Sequence, residues 1–497
     1  MTGVALAQSP QQREHCFNVQ STDDQRIEAC GAVVLAGLMS PADRASAHRI
    51  RADALARRGE YQRALADYRE AIRMAPDELR SFNNRGYAYN LMGEFDLALA
   101  DLDHVIRRNP NLAAAFNNRG IAYNGKSQYQ RAIADFDDAI RLDPTYVQAF
   151  VNRGASRRAL GEHDRAIDDF EQAIRLKPDY AQAFNERGGA LAAKGEHDRA
   201  IADYDAAIRL DANNALFHLN RGGMRATLGQ PERAIEDFDA AIRLKPDLAG
   251  AYYHRGNAHL DGGRHERAIA DFDMAVRLDA KNALYFLSRG SAHDGRGQRD
   301  RAMRDYNDAI RLKPDLAIAY YHRGNAYADG TEYELAIGDY DMAIRLDPSD
   351  SRFYASRGDA HHERGDNERA VDDYDAALRL NPDDPVVLNA RCWSRAVLGR
   401  LREALADCDE SLRLEPAAAH TLDSRGFTYL KLGDFERAMA DFNAALKIDT
   451  GIAAALFGRG VTKLRMGDRG GGDKDIAAAT AIDATIIERY ARYGVKP

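Results

Sequence analysis

The sequence predicts an all-α solenoid of antiparallel helix pairs, on the basis of three observations. An Arg recurs every 34 residues from Arg51 to Arg459, and this spacing defines thirteen repeats. Both halves of each repeat carry apolar or small residues at helical spacing. A break separates the halves near the fifteenth place, and it is usually Gly. A fixed period of this length is typical of stacked helical units that bury their faces against neighbours.

The third repeat, residues 113–146, illustrates the elements in order. Places are numbered from the first residue of a repeat, so that the recurring Arg is place 7. The first predicted helix carries Phe116 and Tyr123, and the second carries Ala132 and Phe136 on one face. Pro144 then ends the second helix, because Pro cannot continue a helix and disfavours the α conformation of the residue before it.

Small residues recur where the two helices must approach closely. Gly dominates place 8 and Ala dominates places 20 and 27, while Phe or Tyr commonly occupies place 24 and fills the space beside them. Together with Tyr at place 11 and Pro at place 32, this pattern resembles the tetratricopeptide repeat over most of the chain. The resemblance implies a right-handed superhelix of stacked helical hairpins that holds other proteins.

One departure from the family is constant. Place 7, often Leu in the family, is Arg in all thirteen repeats, and place 23 is Asp in all thirteen. The planar guanidinium of Arg can bond a carboxylate through two parallel hydrogen bonds. We therefore predict a structural ladder of ion pairs, with an Asp from the same or the preceding repeat. Its representative members are Arg85, Asp101, Arg119, Asp135, Arg221 and Asp237.

The remaining segments flank the array. Residues 1–24 form a leader, 25–44 an N-terminal capping helix, 45–484 the thirteen repeats, and 485–497 a C-terminal capping helix and tail. Ala5, Leu6 and Ala7 fit the cleavage pattern of a secretory signal, although the charged start is missing and the apolar core is short. The leader is therefore interpreted either as the remnant of such a signal or as a short disordered tail.

The cysteines bear on the cellular compartment. Cys16 and Cys30 are predicted to form a disulfide if the protein is exported, and to be two thiols in the cytoplasm. Export to the periplasm or outside the cell is favoured because the signal-like leader and this cysteine pair point the same way, and the segment resembles those of exported bacterial repeat proteins. Cys392 and Cys408 occupy interior places 8 and 24 of one repeat, and buried thiols are expected there, with a bridge as the alternative.

Composition and motifs exclude several classes of function. The net charge of −8 is spread along the chain without a basic stripe, which argues against nucleic acid as a partner. No apolar run is long enough to suggest a membrane span. The cysteines and histidines lack metal-ligand spacing, and no catalytic motif stands out. The prediction is a non-enzymatic protein that needs no metal or cofactor.

The predicted function is a scaffold that binds a peptide segment or a partner helix in its concave groove. The alternative is an accessory subunit that recruits substrates to a separate enzyme. In the family, places 2, 5, 9, 12 and 13 of the first helices contact ligands, whereas the Lys of the family's carboxylate clamp is missing from place 5. The resemblance implies a groove formed by Asn83, Asn117, Asn124, Tyr253, Asn257, Tyr321, Asn325, Trp393 and Phe427. The alternative for the Asn and Tyr residues is that they join neighbouring repeats.

Overall fold

The computed structural model describes residues 10–36 and 39–497. The described residues form twenty-nine α-helices and no strand, in two compact units that meet in sequence between Pro246 and Asp247. The predicted signal remnant at Ala5, Leu6 and Ala7, and residues 37 and 38 of the predicted N-terminal capping helix, lie outside the described residues.

The N-terminal unit comprises fourteen helices. They are α1 (Pro10–Phe17), α2 (Asp23–Ala36), α3 (Pro41–Arg57), α4 (Tyr61–Met74), α5 (Leu79–Leu91), α6 (Phe95–Arg108), α7 (Ala113–Gly125), α8 (Tyr129–Leu142), α9 (Val147–Ala159), α10 (His163–Leu176), α11 (Ala181–Ala193), α12 (His197–Leu210), α13 (Ala215–Thr227) and α14 (Pro231–Leu244).

The C-terminal unit comprises fifteen helices. They are α15 (Ala249–Asp261), α16 (His265–Leu278), α17 (Ala283–Asp294), α18 (Arg299–Leu312), α19 (Ala317–Asp329), α20 (Tyr333–Leu346), α21 (Ser351–Glu363), α22 (Asn367–Leu380), α23 (Pro385–Val397), α24 (Leu401–Leu414), α25 (Ala419–Leu432), α26 (Phe435–Ile448), α27 (Ala453–Arg465), α28 (Arg469–Ile482) and α29 (Ile486–Arg492).

Odd-numbered helices from α3 to α27 are the first helices of the thirteen repeats, and the even-numbered helices that follow are the second helices. The first repeat begins earlier than its pattern predicts. Helix α3 starts at Pro41 because the Ser40 side chain accepts a hydrogen bond from the Asp43 N–H and caps the helix. At the other end of a pair, Asp143 precedes Pro144 and takes an extended conformation that stops α8.

The core of each pair depends on the contact between places 8 and 24. In the third repeat, a Cβ placed on Gly120 would lie 2.6 Å from the ring of Phe136, which is fully buried. No side chain fits in that space, so the glycine lets the ring pack directly on the first helix. Ala132 and Ala139 complete the contact and are also fully buried.

The eleventh repeat replaces this contact with a covalent bond. Cys392 at place 8 and Cys408 at place 24 form a disulfide with a Cα–Cα distance of 5.5 Å. The expectation of buried thiols was therefore wrong, because the close approach that admits a ring against glycine also suits a disulfide. Cys16 and Cys30 form a second disulfide, which ties α1 to α2.

Within each unit, first helices of neighbouring repeats contact one another, as α5 contacts α7 and α23 contacts α25. Among the described residues no two second helices do so. The first helices therefore line the inner side of each stack. This side is where the resemblance places the groove.

Candidate functional site

The Arg at place 7 bonds the Asp at place 23 of its own repeat, and in most repeats it also bonds the second helix of the preceding repeat. Arg221 on α13 donates from Nη2 to Asp237 Oδ1 at 2.6 Å and from Nε to Asp237 Oδ2 at 3.1 Å. Its Nη1 also donates to Asp205 Oδ1 at 2.6 Å, on the second helix of the preceding repeat. One guanidinium thus bonds both its own repeat and the previous one.

The other representative pairs have the same geometry. Arg85 donates to both oxygens of Asp101 at 2.7 Å, and Arg119 bonds Asp135 at 2.9 and 2.7 Å. Arg119 Nη1 also reaches Asp103 at 2.8 Å. Hydrogen bonding to Asp135 raises the pKa of the Arg119 guanidinium, which therefore stays charged.

The second acceptor, at place 25, was not identified from the sequence. Its signal was present, because place 25 is an acid or an Asn in most repeats. Examples are Asp103, Asp137 and Asp205. The place-23 acids Asp101, Asp135 and Asp237 are buried, and the Arg side chains use their donors within the array, which supports a structural role for the ladder.

Three of the predicted groove residues lie in the N-terminal unit, where they contact neighbouring repeats. Asn83 Oδ1 accepts a hydrogen bond from Asn118 Nδ2 at 3.2 Å, and Asn117 Oδ1 accepts one from Asn152 Nδ2 at 3.0 Å. Asn117 is buried. Asn124 Oδ1 accepts from the Ser156 hydroxyl at 2.9 Å. These amides hold successive first helices together, in agreement with the alternative interpretation of the Asn residues.

The tyrosines of the C-terminal unit also join repeats. The Tyr253 ring lies 5.0 Å from the Tyr285 ring, and the Tyr321 ring lies 5.1 Å from the Phe353 ring, centroid to centroid. Each of these contacts spans two neighbouring repeats and is in the range at which aromatic rings attract. Asn257, which lies between Tyr253 and Tyr321 in the sequence, is half-buried on α15.

The last three predicted groove residues have different environments in the structure. Asn325 accepts a hydrogen bond from the Tyr340 hydroxyl at 2.8 Å and lines a cavity, and Trp393 lines two cavities. Phe427 is fully buried, with ring centroids 4.7 Å from Trp393 and 5.4 Å from Tyr490. A ligand cannot reach Phe427 in this structure because α29 covers it, so its assignment to the groove was wrong.

Three cavities adjoin along the inner side of the C-terminal unit, and we call them together the acidic groove. Their volumes are about 430, 540 and 300 Å³. Glu363 is shared by the first two, Asp359 by the first and third, and Trp393 by the last two. The groove runs over the first helices α19, α21, α23 and α25, and α29 walls its C-terminal end.

The 300 Å³ cavity contains the most unusual group of the groove. Asp423 is buried, and its Oδ1 has no hydrogen-bond partner within the described residues. Burial raises the pKa of the Asp423 carboxyl to about 7. Asn389 Oδ1 and Tyr490 Oη line the same cavity and are likewise buried without a partner in the described structure.

Asp359 contributes a second acid to this wall. It accepts a hydrogen bond from the Tyr374 hydroxyl at 2.8 Å, and burial raises the pKa of its carboxyl. Asp423 and Asn389 both occupy place 5, the position where the family's clamp carries Lys. An Asp at that place reverses the charge, and this sequence signal could have identified the site.

Comparison with known families decides the identity of the fold. Profiles described as tetratricopeptide repeat match residues 45–78, 79–112, 113–146, 151–215, 225–283, 329–385 and 419–451, and one described as TPR repeat matches 296–330. The first three matches coincide with the repeats defined by the recurring Arg. The chain belongs to the tetratricopeptide-repeat family.

Comparison with solved structures finds one of similar fold over most of this tetratricopeptide-repeat protein. The structure titled as the APC/C hetero-tetramer Cut9-Hcn1 is 14% identical, covers 91% of this chain and 96% of that chain, and has a TM-score of 0.51. A tetratricopeptide repeat protein from Parabacteroides merdae is 20% identical over 49% of this chain and 97% of its own, with a TM-score of 0.42. No curated protein matched the chain. Tetratricopeptide arrays generally serve as protein-interaction scaffolds rather than as catalysts.

Within the described residues, no helix combines the length and apolar character that a membrane crossing requires. The same part of the chain contains no cluster of three or more His, Cys, Asp or Glu side chains suited to a metal ion.

Proposed function

We propose that this protein is a non-catalytic scaffold that binds an extended, basic peptide segment of a partner in the acidic groove. The observation that carries the proposal is the continuity of the three cavities over successive first helices. Together they offer a volume well above the roughly 300 Å³ at which ligand sites begin. A peptide in extended conformation can follow such a row of repeats, one repeat after another.

The charge of the groove favours a basic peptide segment as its ligand. Asp329, Asp359, Glu363 and Asp423 line the groove. Three Arg side chains line its walls. Arg364 bonds Glu334 and Arg489 bonds Asp483 at 2.8 Å, and Arg492 is the third. The acids therefore outnumber the cations that are free to neutralise them, and a partner of opposite charge complements the surface.

The C-terminal helix α29 closes one end of the acidic groove. Tyr490 on α29 is buried, with its ring centroid 4.9 Å from that of Phe457 on α27. Tyr493 packs edge-on against Trp393 with centroids 5.9 Å apart. Because α29 occupies the inner side of the last repeats, the bound segment ends near Trp393 and extends toward Asn325.

A displayed library of unstructured peptides, selected against the whole chain, tests this function. We expect selected peptides to be enriched in Lys and Arg and to bind the purified protein saturably, as measured by the fluorescence anisotropy of labelled peptide. Ala328 lines the groove on α19, so Ala328→Trp should fill it and weaken binding by about tenfold or more.

Ala406→Trp is the matched control, because Ala406 is exposed on the second helix α24. It should leave the affinity unchanged. If no peptide is selected, or if peptides bind Ala328→Trp as well as the parent protein, the acidic groove is not the binding site.

A further inference from the structure

The cavity around Asp423 has the features of a pocket for a single cationic group. Three buried oxygen atoms line it without partners in the described structure: Asp423 Oδ1, Asn389 Oδ1 and Tyr490 Oη. An unpaired buried polar atom destabilises the structure, and more so when it is charged. A bound donor would remove that destabilisation.

The chemistry of these atoms identifies the donor. A carboxylate and an amide oxygen can only accept hydrogen bonds, and a phenol oxygen can also accept one. An ammonium group has three N–H donors and a guanidinium has five, and neither has an acceptor. Both also carry the charge that a buried carboxylate needs for compensation.

The aromatic walls of the cavity suit the methylene groups of a Lys or Arg side chain. Trp393 and Tyr374 line the cavity beside the oxygens. Aromatic faces attract a cation and pack against the methylene groups that carry it. The cavity volume of about 300 Å³ also leaves room for a long side chain.

We propose that this cavity binds the cationic side chain of a Lys or Arg in the partner segment, with Asp423 as the charge partner. This inference rests on the proposed function and specifies where a basic residue of the bound peptide is recognised. It is opposite in sign to the family's carboxylate clamp, because an acid occupies place 5. The charge of Arg489 lowers the pKa of the Asp423 carboxyl, against the larger effect of burial. Arg489 nevertheless bonds Asp483 at 2.8 Å and makes no hydrogen bond to Asp423 Oδ1, so that oxygen is still available to a ligand cation.

A small probe tests the pocket without any partner protein. Nα-acetyl-lysine amide and Nα-acetyl-arginine amide are titrated into the whole chain, and Nα-acetyl-norleucine amide serves as the uncharged comparison. The readout is the indole N–H resonance of Trp393, which is the single Trp of the chain and lines the cavity. We expect a saturable shift with at least one cation and a much weaker one with norleucine; the stronger of the two cations identifies the preferred side chain.

Two variants complete the test. Asp423→Asn should weaken cation binding by about tenfold, the effect of losing roughly 1.4 kcal/mol of binding free energy. Asp383→Asn, which removes an exposed acid outside the cavity, should leave it unchanged. Tyr490→Phe, which removes only the unpartnered hydroxyl, should cause a smaller loss. Circular dichroism checks that each variant is folded.

The affinity should also rise with pH through about 7, because a bound cation favours the ionised form of Asp423. The titratable or charged groups around Asp423 in this cavity are Asp359, His362, Tyr374, His420, Arg489 and Tyr490. Subtracting the pH profile of Asp423→Asn separates their contribution from that of Asp423.

The outcomes separate the two proposals. Equal binding of norleucine and lysine amides, no response to either cation, or full affinity in Asp423→Asn would overturn the cation pocket. Library peptides that bind the groove but tolerate Asp423→Asn would overturn it as well, while the proposed function stands. Absence of groove-dependent peptides together with cation binding at Asp423 would overturn the proposed function alone.

Discussion

The N-terminal and C-terminal units use the same places of the repeat for different purposes. In the N-terminal unit, places 5 and 6 carry asparagines that bond one another across repeats, as Asn118 bonds Asn83 and Asn220 bonds Asn185 at 2.8 Å. In the C-terminal unit, the last repeats carry Asn389 and Asp423 at place 5, and both line a cavity. In the N-terminal unit these Asn side chains bond one another across repeats. In the C-terminal unit Asn389 Oδ1 and Asp423 Oδ1 are buried without partners in the described structure.

This difference separates structural polar residues from candidate binding residues in a repetitive chain. Recurrence alone does not distinguish them, because the ladder at places 7 and 23 recurs in both units. A polar side chain with all its hydrogen bonds made inside the array stabilises the array. A buried polar atom that lacks a partner needs an explanation, and a bound ligand is one.

The largest expected effect on stability concerns the Arg–Asp ladder, which both units share. Asp237→Ala in the N-terminal unit leaves Arg221 and Arg225 without their common carboxylate, and Asp407→Ala leaves Arg391 and Arg395 in the same state. We expect each change to lower the local free energy of unfolding by about 3–5 kcal/mol, because each carboxylate is buried. Hydrogen exchange measures the loss.

The damage should be confined to neighbouring repeats in a solenoid. Unchanged exchange protection over residues 234–241 in Asp237→Ala would refute a structural ladder. Asp383→Ala removes an exposed acid and provides the reference, with an expected cost of less than about 0.5 kcal/mol.

The disulfides provide the second comparison. Replacing Cys16 and Cys30, or Cys392 and Cys408, by Ala opens loops with similar sequence separations of 14 and 16. Chain entropy predicts a loss of about 3 kcal/mol for each. The C-terminal pair should cost more, since its sulfurs also fill the space that a ring occupies in other repeats. Denaturant unfolding of the two double variants measures the difference.

We propose that the protein works in an oxidising compartment, because two disulfides fit that environment. Peptide mapping without reduction, on protein isolated from its native host after thiol alkylation, checks this. Free thiols at Cys16 and Cys30 would contradict export.

A pH-dependent effect is specific to the acidic groove. Burial raises the pKa of the Asp423 carboxyl from its ordinary value of 3.8 to about 7, so the folded protein holds an extra proton between these values. Its contribution to stability therefore falls as pH rises through this window, by up to about 1.4 kcal/mol per pH unit, and is constant above it. Hydrogen exchange in α25 as a function of pH should show this slope.

Asp423→Asn should abolish that component of the slope, and Asp383→Asn should retain it. A profile for Asp423→Asn that is parallel to that of the parent protein would show that Asp423 is ionised throughout the window. The conclusion that its carboxyl is an uncompensated buried group would then be lost.

The smallest effect tests the asparagines. Asn118→Ala removes the amide that donates to Asn83, and the expected cost is about 1 kcal/mol, the typical net value of one hydrogen bond. Exchange protection in α5 and α7 should fall slightly, while peptide affinity stays the same. Loss of peptide binding comparable to that of Ala328→Trp would move the binding site into the N-terminal unit.

The sequence by itself determined the architecture, because thirteen copies of one residue pattern specify the same pair of helices in every repeat. Gly120 facing Phe136, and Pro144 ending a helix, are local requirements that spacing reveals. Spacing also predicts that the Arg at place 7 pairs with the Asp at place 23, whereas the structure decides that the Asp belongs to the same repeat. Periodicity carries this information because each repeat contacts mainly itself and its neighbours.

Only the tertiary structure decided which inner residues face a cavity. Asn117, Phe427 and Trp393 all occupy places that contact ligands in the family, yet a neighbouring amide bonds the first and α29 covers the second. Trp393 alone of the three lines the acidic groove. The physical reason is that exposure at an inner place depends on the side chains of adjacent repeats and on α29, which lies outside the repeat pattern.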